Sequence, residues 1–340
     1  MTAYRFSVAL AACLSLVSLG AARADDEKLV VTSYAGIWQQ SIEKNFGSCY
    51  KEATGKDFAI LSGDPAAWLN KIRANPSHPP IDVVTLASAE TEQARRGGLL
   101  DTLKKDRLPN LVDIPAENYE AWNNQAVEVH AAALGVLYNK EAVPNPPKDW
   151  RTLFDDIAAG KFGKRVSMPS GTYTWGPDFI WFVGHTYDGD ADTAFAKLKA
   201  MMPNVVKFWT TPAEATNLIG TKQVDILLFW DGRAYDFIEK NNGWAAYYNP
   251  GPKSMGASVS FAKVKNGSEA AWDFINCALS AKAQTAHAET LGYGVTNSKV
   301  VYPESVKKRI TPASDKIFPP YAKVFDLAPQ WIDRWNREMR

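Results

Sequence analysis

The chain has 340 residues, 38 of them Lys or Arg, 37 Asp or Glu and four His. That is room for two compact domains, because single hydrophobic cores stop growing near ~250–300 residues. An apolar fraction of 46%, with 12 Trp, 13 Tyr and 15 Phe, excludes global disorder. The near-zero net charge excludes a basic nucleic-acid surface as the organising feature.

The first segment reads as an export signal. A short start carrying Arg5 leads into an apolar run over residues 6–22, and Ala22-Arg23-Ala24 forms an Ala-x-Ala cleavage site. The mature chain is expected to begin near Asp25, with residues 1–24 removed and 36 basic against 37 acidic residues left, a net charge of −1. The run is short for a membrane span, which needs ~20 apolar residues, and the acidic Asp25-Asp26-Glu27 follows it. Leu10-Ala11-Ala12-Cys13 also matches a lipoprotein box, in which Cys13 would be acylated, although apolar residues rather than a polar tether follow it. The expectation is a soluble, exported protein.

Cys49 and Cys277 remain after export. In an oxidising compartment two thiols either pair or sit buried and inert. His78, His130, His185 and His287 are scattered singly, and no zinc-type spacing occurs. Each is read as a solvated or hydrogen-bonded structural residue, with no metal expected.

Strands and helices alternate along the mature chain. Residues 28–33 read as a strand, Tyr34-Ala35-Gly36 as its turn, and 37–54 as a helix with Ile37, Ile42, Phe46 and Tyr50 at helical spacing, stopped by Gly55. Residues 58–61 and 81–86 read as strands, 66–74 and 90–99 as helices, the last ended by Gly97-Gly98. This order argues for parallel sheets covered on both faces, with ligands beyond the carboxyl ends of the strands. The segments to watch are therefore 33–38, 62–64 and 87–90. The Pro-rich stretch 144–147, following 131–139, marks the start of a second unit. There 165–168, 205–209, 224–230 and 256–264 read as strands, and 179–187, 191–201, 212–219 and 269–279 as helices, with a polar loop over 169–177.

Catalytic constellations are thin. Gly256-Ala257-Ser258-Val259-Ser260 lacks the closing Gly of a nucleophile elbow, and Gly292-Tyr293-Gly294 is too short for a phosphate-cradling loop. The strand ends carry aromatics beside isolated polar groups instead. Tyr34, Trp38, Ser88, Ser170, Tyr173, Trp175, Trp209, Trp230, Asp231 and Arg233 are the candidate ligand-binding residues. Aromatic faces with one carboxylate suit a small amine through cation–π attraction. Trp38 reads equally as core; Asp231 would pair with the ammonium, the alternative being a carboxylate accepting amides in its own Asp-Gly turn. Trp181, Phe182, Trp272 and Trp331 read as core. Tyr247-Tyr248 offers a second reading, the paired tyrosines of a ferric-ion binder, although neighbours on a strand face opposite ways. A two-lobed secreted hydrolase is the rival from another class.

The opening strand ending in Thr32-Ser33-Tyr34-Ala35-Gly36, the run Ala133-Leu-Gly-Val-Leu-Tyr-Asn139, Met202-Pro-Asn-Val205, Val224-Asp-Ile-Leu-Leu-Phe-Trp-Asp-Gly232, 274–284 and Leu291-Gly-Tyr-Gly-Val-Thr-Asn297 together resemble the periplasmic solute-binding proteins of ABC transporters, in particular the spermidine/putrescine-binding subgroup. The resemblance covers nearly the whole mature chain. It implies a two-lobed α/β periplasmic binding protein fold of type II, each lobe a mostly parallel sheet flanked by helices. Lobe one would comprise 25–135 plus 258–325, lobe two 136–257, and 326–340 a C-terminal helix. A solute would be clamped between the lobes by hinge closure and passed to a membrane permease. The resemblance further implies a monomer in the periplasm, with no enzymatic activity, no cofactor and no nucleic-acid partner. It places Tyr34, Ser88, Tyr173 and Trp230 in matching loops and brings Cys49 and Cys277 into one lobe, where a disulfide is expected. Polyamine binders have a Trp and an Asp before the long returning strand and acidic residues in the 169–175 loop; this chain has neither. A multiply charged polyamine would go unpaired, so the expected solute is a small amine, polyamine-like, amino-acid-like or quaternary, with Arg233 available for a carboxylate.

Overall fold

The computed structural model describes residues 28–339. The expected export signal, its Ala22-Arg23-Ala24 site and Cys13 lie outside the described residues. The fold is α/β, with a large sheet flanked by helices in two halves. Strand β1 (Leu29–Ser33) pairs in parallel with β2 (Phe58–Ser62) and β3 (Val83–Ala87). In the second half β5 (Val166–Pro169) pairs in parallel with β6 (Val205–Trp209) and β7 (Ile226–Trp230).

Two long antiparallel strands, β4 (Val127–Asn139) and β9 (Ser254–Lys263), join the halves. The register of β4 shows where the change occurs. Residues up to Ala133 pair with β9, while Leu134 to Tyr138 pair with β7, and β8 (Ala245–Tyr248) adds on at Val136 to Asn139. Short β10 (Gly294–Val295) pairs with β4 and β11 (Lys316–Ile317) with β9, so late chain segments return to the same seam.

The first helix is interrupted: α1 (Ile37–Ser41) runs through a π-helical stretch, Ile42–Gly47, into α2 (Ser48–Thr54). The sequence pattern gave one helix here, and its buried face is as expected, with Ile42, Phe46 and Tyr50 inside. Gly36 turns β1 into α1 at φ +77°, a left-handed conformation that suits glycine. Helix α3 (Pro65–Ala74) is capped by Asp64, whose side chain accepts from the Ala67 amide, with Pro65 at the first helical position. α4 (Ser88–Arg96) follows β3 directly, α5 (Glu117–Glu120) is one turn before β4, and α6 (Trp150–Ala158) buries Trp150, Leu153, Phe154 and Ile157 along one stripe. α7 (Gly176–Thr186), α8 (Ala191–Met201), α9 (Pro212–Gly220) and α10 (Asp231–Lys240) cover the second half. α11 (Ala271–Ala278) and α12 (Ala281–Leu291) return to the first half.

Cys49 of α2 and Cys277 of α11 form a disulfide across 228 positions, with Cα atoms 5.7 Å apart. It ties the two chain ends of the first half, as the family resemblance implied. After α13 (Glu304–Lys307), the last helix α14 (Tyr321–Glu338) starts earlier than residue 326 and bridges both halves. Its Asp326 pairs with Arg96 of α4 and its Arg334 with Asp192 of α8. Tyr321 stacks on Trp122 at 4.5 Å, and Trp335 meets Phe208 edge-on at 4.9 Å. Among the expected core residues Phe182, Trp272 and Trp331 are buried, whereas Trp181 is half-buried and stacks on exposed His185. No helix among the described residues is long and apolar enough to cross a membrane.

Candidate ligand-binding cleft

The strand ends of both halves open onto one cleft of about 300 Å³. The first half contributes Tyr34 from the β1–α1 turn, Trp38 from the start of α1 and Asp64 from the start of α3. His130, Ala132, Ala257 and Val259 come from the two crossover strands. The second half contributes Tyr173 and Trp175, Thr210 to Pro212, Trp230 and Arg233, with Tyr293 entering from the return segment. The volume is that of a small-molecule site.

Six of the candidate residues therefore meet: Tyr34, Trp38, Tyr173, Trp175, Trp230 and Arg233. Tyr34 lies edge-on to Trp38 at 5.1 Å, and Trp175 edge-on to Trp230 at 5.7 Å. The Trp230 indole donates to the Tyr173 hydroxyl at 3.3 Å. Trp38 is both core and wall: it is buried, lines the cleft and packs 4.6 Å from His130.

Four candidates lie elsewhere. Trp209 is fully buried with its indole donating to the Leu228 carbonyl, because β6 turns its last side chain into the core. The Ser170 hydroxyl serves its own loop through Thr172 at 2.8 Å. Ser88 donates to Asp178 at 2.9 Å, beside the cleft and between α4 and α7. Asp231 does not sit in a loop turn: it opens α10 with no exposed surface. Its carboxylate accepts from the amides of Ala133 at 3.1 Å and Gly232 at 2.9 Å, and from the Thr311 hydroxyl at 2.9 Å. Those bonds tie together the residue where β4 changes partners, the start of α10 and the late segment. Burial raises the Asp231 pKa, and nearby Lys316 opposes the rise.

Among the described residues, the charged side chains that line the cleft are Asp64 and Arg233. Asp64 lines it on one side. Glu90, in the first turn of α4, stands near enough for its charge to act on both Tyr34 and Tyr173. Burial pushes Glu90 up to about 7, with Asp178 and Asp64 adding to the rise. Opposite them, the Arg233 guanidinium acts on Tyr173 and on Tyr293, whose phenol burial raises to about 12. Asp178 is also pushed up to about 7 by burial. The Tyr34 hydroxyl, the Trp175 indole N–H and one Glu90 oxygen are buried without a hydrogen-bond partner among the described residues. Such orphaned groups are costly unless something else meets them.

Two of the four histidines take the hydrogen-bonded structural role that was one of the two expected of them. His130 and His287 are buried, with His130 Nδ1 2.9 Å from His287 Nε2, and His287 Nδ1 2.8 Å from the Ser41 hydroxyl. Burial lowers both, His287 to about 3, so each ring is neutral. Their positions, 157 apart, carry no local motif that could have paired them. Tyr247 and Tyr248 do not act together: Tyr247 bonds the Ala133 carbonyl and Asn249, while Tyr248 lies edge-on to Tyr138. Among the described residues no group of three or more His, Cys, Asp or Glu is placed to hold a metal ion.

Residues 48–313 match the model of the bacterial extracellular solute-binding proteins, and the chain belongs to that family. It is a family of binding proteins, not enzymes, which deliver small solutes to ABC transporter permeases. The match is to the family at large and does not single out the polyamine-binding subgroup. The thiamine-binding periplasmic protein of Brucella melitensis is 26% identical over 237 residues, covering 68% of this chain and 67% of its own. Among solved structures, an extracellular solute-binding protein from Bordetella parapertussis superposes with a TM-score of 0.85 at 25% identity, covering 93% of this chain and all of its own. An ABC transporter protein from Clostridium perfringens shares the fold, with a TM-score of 0.79 at 21% identity over 92% of this chain and 100% of its own.

Proposed function

We propose that this protein is the periplasmic, monomeric receptor of an ABC importer for a small solute that carries both a cationic amine and a hydrogen-bond-accepting or anionic group. Lobe one (25–135 plus 258–325) and lobe two (136–257) would close on it, with the C-terminal helix spanning both. The observation that carries the reading is the polarity of an aromatic cleft. Asp64 lines it near Tyr34, Arg233 lines it near Tyr293, and Tyr173 lies within the field of both Arg233 and Glu90. An aromatic face against a desolvated ammonium is worth about 2 kcal/mol or more, and Arg233 can meet a carboxylate in two-pronged fashion. The Brucella relative is named for thiamine, and an organic cation of that kind fits the same walls. The cleft lacks the several carboxylates a polyamine needs.

A thermal-shift panel of simple amines, zwitterionic amino acids and betaines, cationic heteroaromatics and sugars tests this. A ligand at 100 times its Kd stabilises by ~2.7 kcal/mol, so a zwitterion or heteroaromatic cation should raise Tm by several degrees. Stabilisation by neutral sugars alone contradicts the reading.

A further inference from the structure

The histidine pair is polarised in one direction. Thr290 donates its hydroxyl proton to the Ala286 carbonyl at 2.9 Å, so its oxygen must accept from the Asn45 side-chain nitrogen at 3.2 Å. The same nitrogen lies 2.9 Å from the Ser41 hydroxyl, which therefore also accepts from Asn45. The proton of Ser41 has no acceptor other than His287 Nδ1 among the described residues, and a buried hydroxyl left undonated is penalised. A neutral His287 that accepts at Nδ1 carries its proton on Nε2 and donates it to His130 Nδ1. His130, accepting at Nδ1, must then carry its own proton on Nε2. That nitrogen has no partner among the described residues, on a ring that is 1% exposed and lines the cleft.

We infer that the relay Asn45–Ser41–His287 fixes His130 as its Nε2–H tautomer, making His130 a neutral donor that selects solutes presenting a hydrogen-bond acceptor at that wall. His130 touches the solute; Ser41 and His287 are positioning residues. Trp38, 4.6 Å away, and Tyr293, stacked at 5.5 Å, hold the ring plane. The inference rests on the solute-binding reading above and adds which part of the solute is read.

Its first test needs no solute. Long-range nitrogen–proton NMR on the ligand-free protein labelled at histidine nitrogen should show both buried rings protonated at Nε2, with signals assigned by His130→Gln and His287→Gln. Protonation of either ring at Nδ1 overturns the relay while leaving the solute-binding reading untouched. Ser41→Ala should mix the two tautomers at His287 and His130; an unchanged pattern also overturns it. The second test compares calorimetric affinity for two pairs, glycine betaine against tetramethylammonium and β-alanine against ethylammonium. His130→Phe should cost the zwitterions about tenfold and the acceptor-free cations under threefold, whereas His130→Gln, which keeps an N–H near Nε2, should stay within about threefold of the native protein. Equal losses for both members of a pair overturn the selectivity. Binding of neither pair, with the tautomers as assigned, overturns the solute reading and the recognition step with it.

Discussion

Asp231 gives the sharpest contrast between a ligand-binding and an architectural carboxylate. Asp231→Ala removes the acceptor of the Ala133 and Gly232 amides and of the Thr311 hydroxyl, and leaves the Thr311 amide, 3.4 Å from the same carboxylate, without it. A buried donor stripped of its partner costs about 1–3 kcal/mol. Water can reach some of the four, and removing a buried charge whose pKa burial has raised returns part of the loss. A net destabilisation of about 3–5 kcal/mol follows, a large share of the ~5–15 kcal/mol that holds a domain together. Asp231→Asn keeps one oxygen for Ala133 and Gly232 and sets an amide against the Thr311 hydroxyl, so its cost should be about 1–2 kcal/mol. Urea unfolding followed by tryptophan fluorescence measures both, with calorimetry on the identified solute beside it. A loss under ~1 kcal/mol for the alanine variant refutes the reasoning. So does a 30-fold loss of affinity in the asparagine variant at unchanged stability, which would put this carboxylate on the solute.

Two further outcomes follow from buried chemistry. Opening the Cys49–Cys277 bridge, whose cysteines lie 228 positions apart, frees unfolded-state entropy worth about 5 kcal/mol in the chain-entropy model. Complete reduction, checked by alkylation, should lower Tm on the order of 10 °C; an unchanged Tm in the fully alkylated protein contradicts it. Asp178 titrates near 7 when folded against an ordinary value of 3.8. The folded state thus holds a proton the unfolded chain has lost, and stability from this group falls as pH rises from ~4 to ~7, then levels off. Asp178→Asn, which still accepts from Ser88, should flatten that slope and gain ~2–4 kcal/mol at pH 8. An identical slope in the variant sinks the assignment.

The alternation of strands and helices was legible because both periods are written in the apolar residues, and the β1–α1 turn was legible through Gly36. The flagged strand-end segments do contain Tyr34, Trp38, Asp64 and Glu90. Only the two aromatics were singled out; in the structure Asp64 also caps α3. Asp231-Gly232 was ambiguous because an Asp-Gly pair opens turns and helices alike, and burial decides which. Trp209 and Trp230 both end strands, yet one faces the core and the other the cleft. That choice depends on which face each strand turns to its neighbours. The pairing of His130 with His287 was not legible because the partner arrives from α12, a long-range contact that no local spacing encodes.

One solute is expected to bind where both halves meet, between the aromatic walls and the Arg233 guanidinium. Calorimetry of the solute retained on purification, or of the strongest thermal-shift hit, against the native protein, Trp175→Ala and Arg233→Met tests it most directly. One-to-one binding is expected. Trp175→Ala should weaken it by about tenfold or more through loss of a desolvated aromatic face. Arg233→Met should weaken a carboxylate-bearing solute by about 30-fold. Both variants binding within twofold of the native protein would place the solute elsewhere and contradict the account.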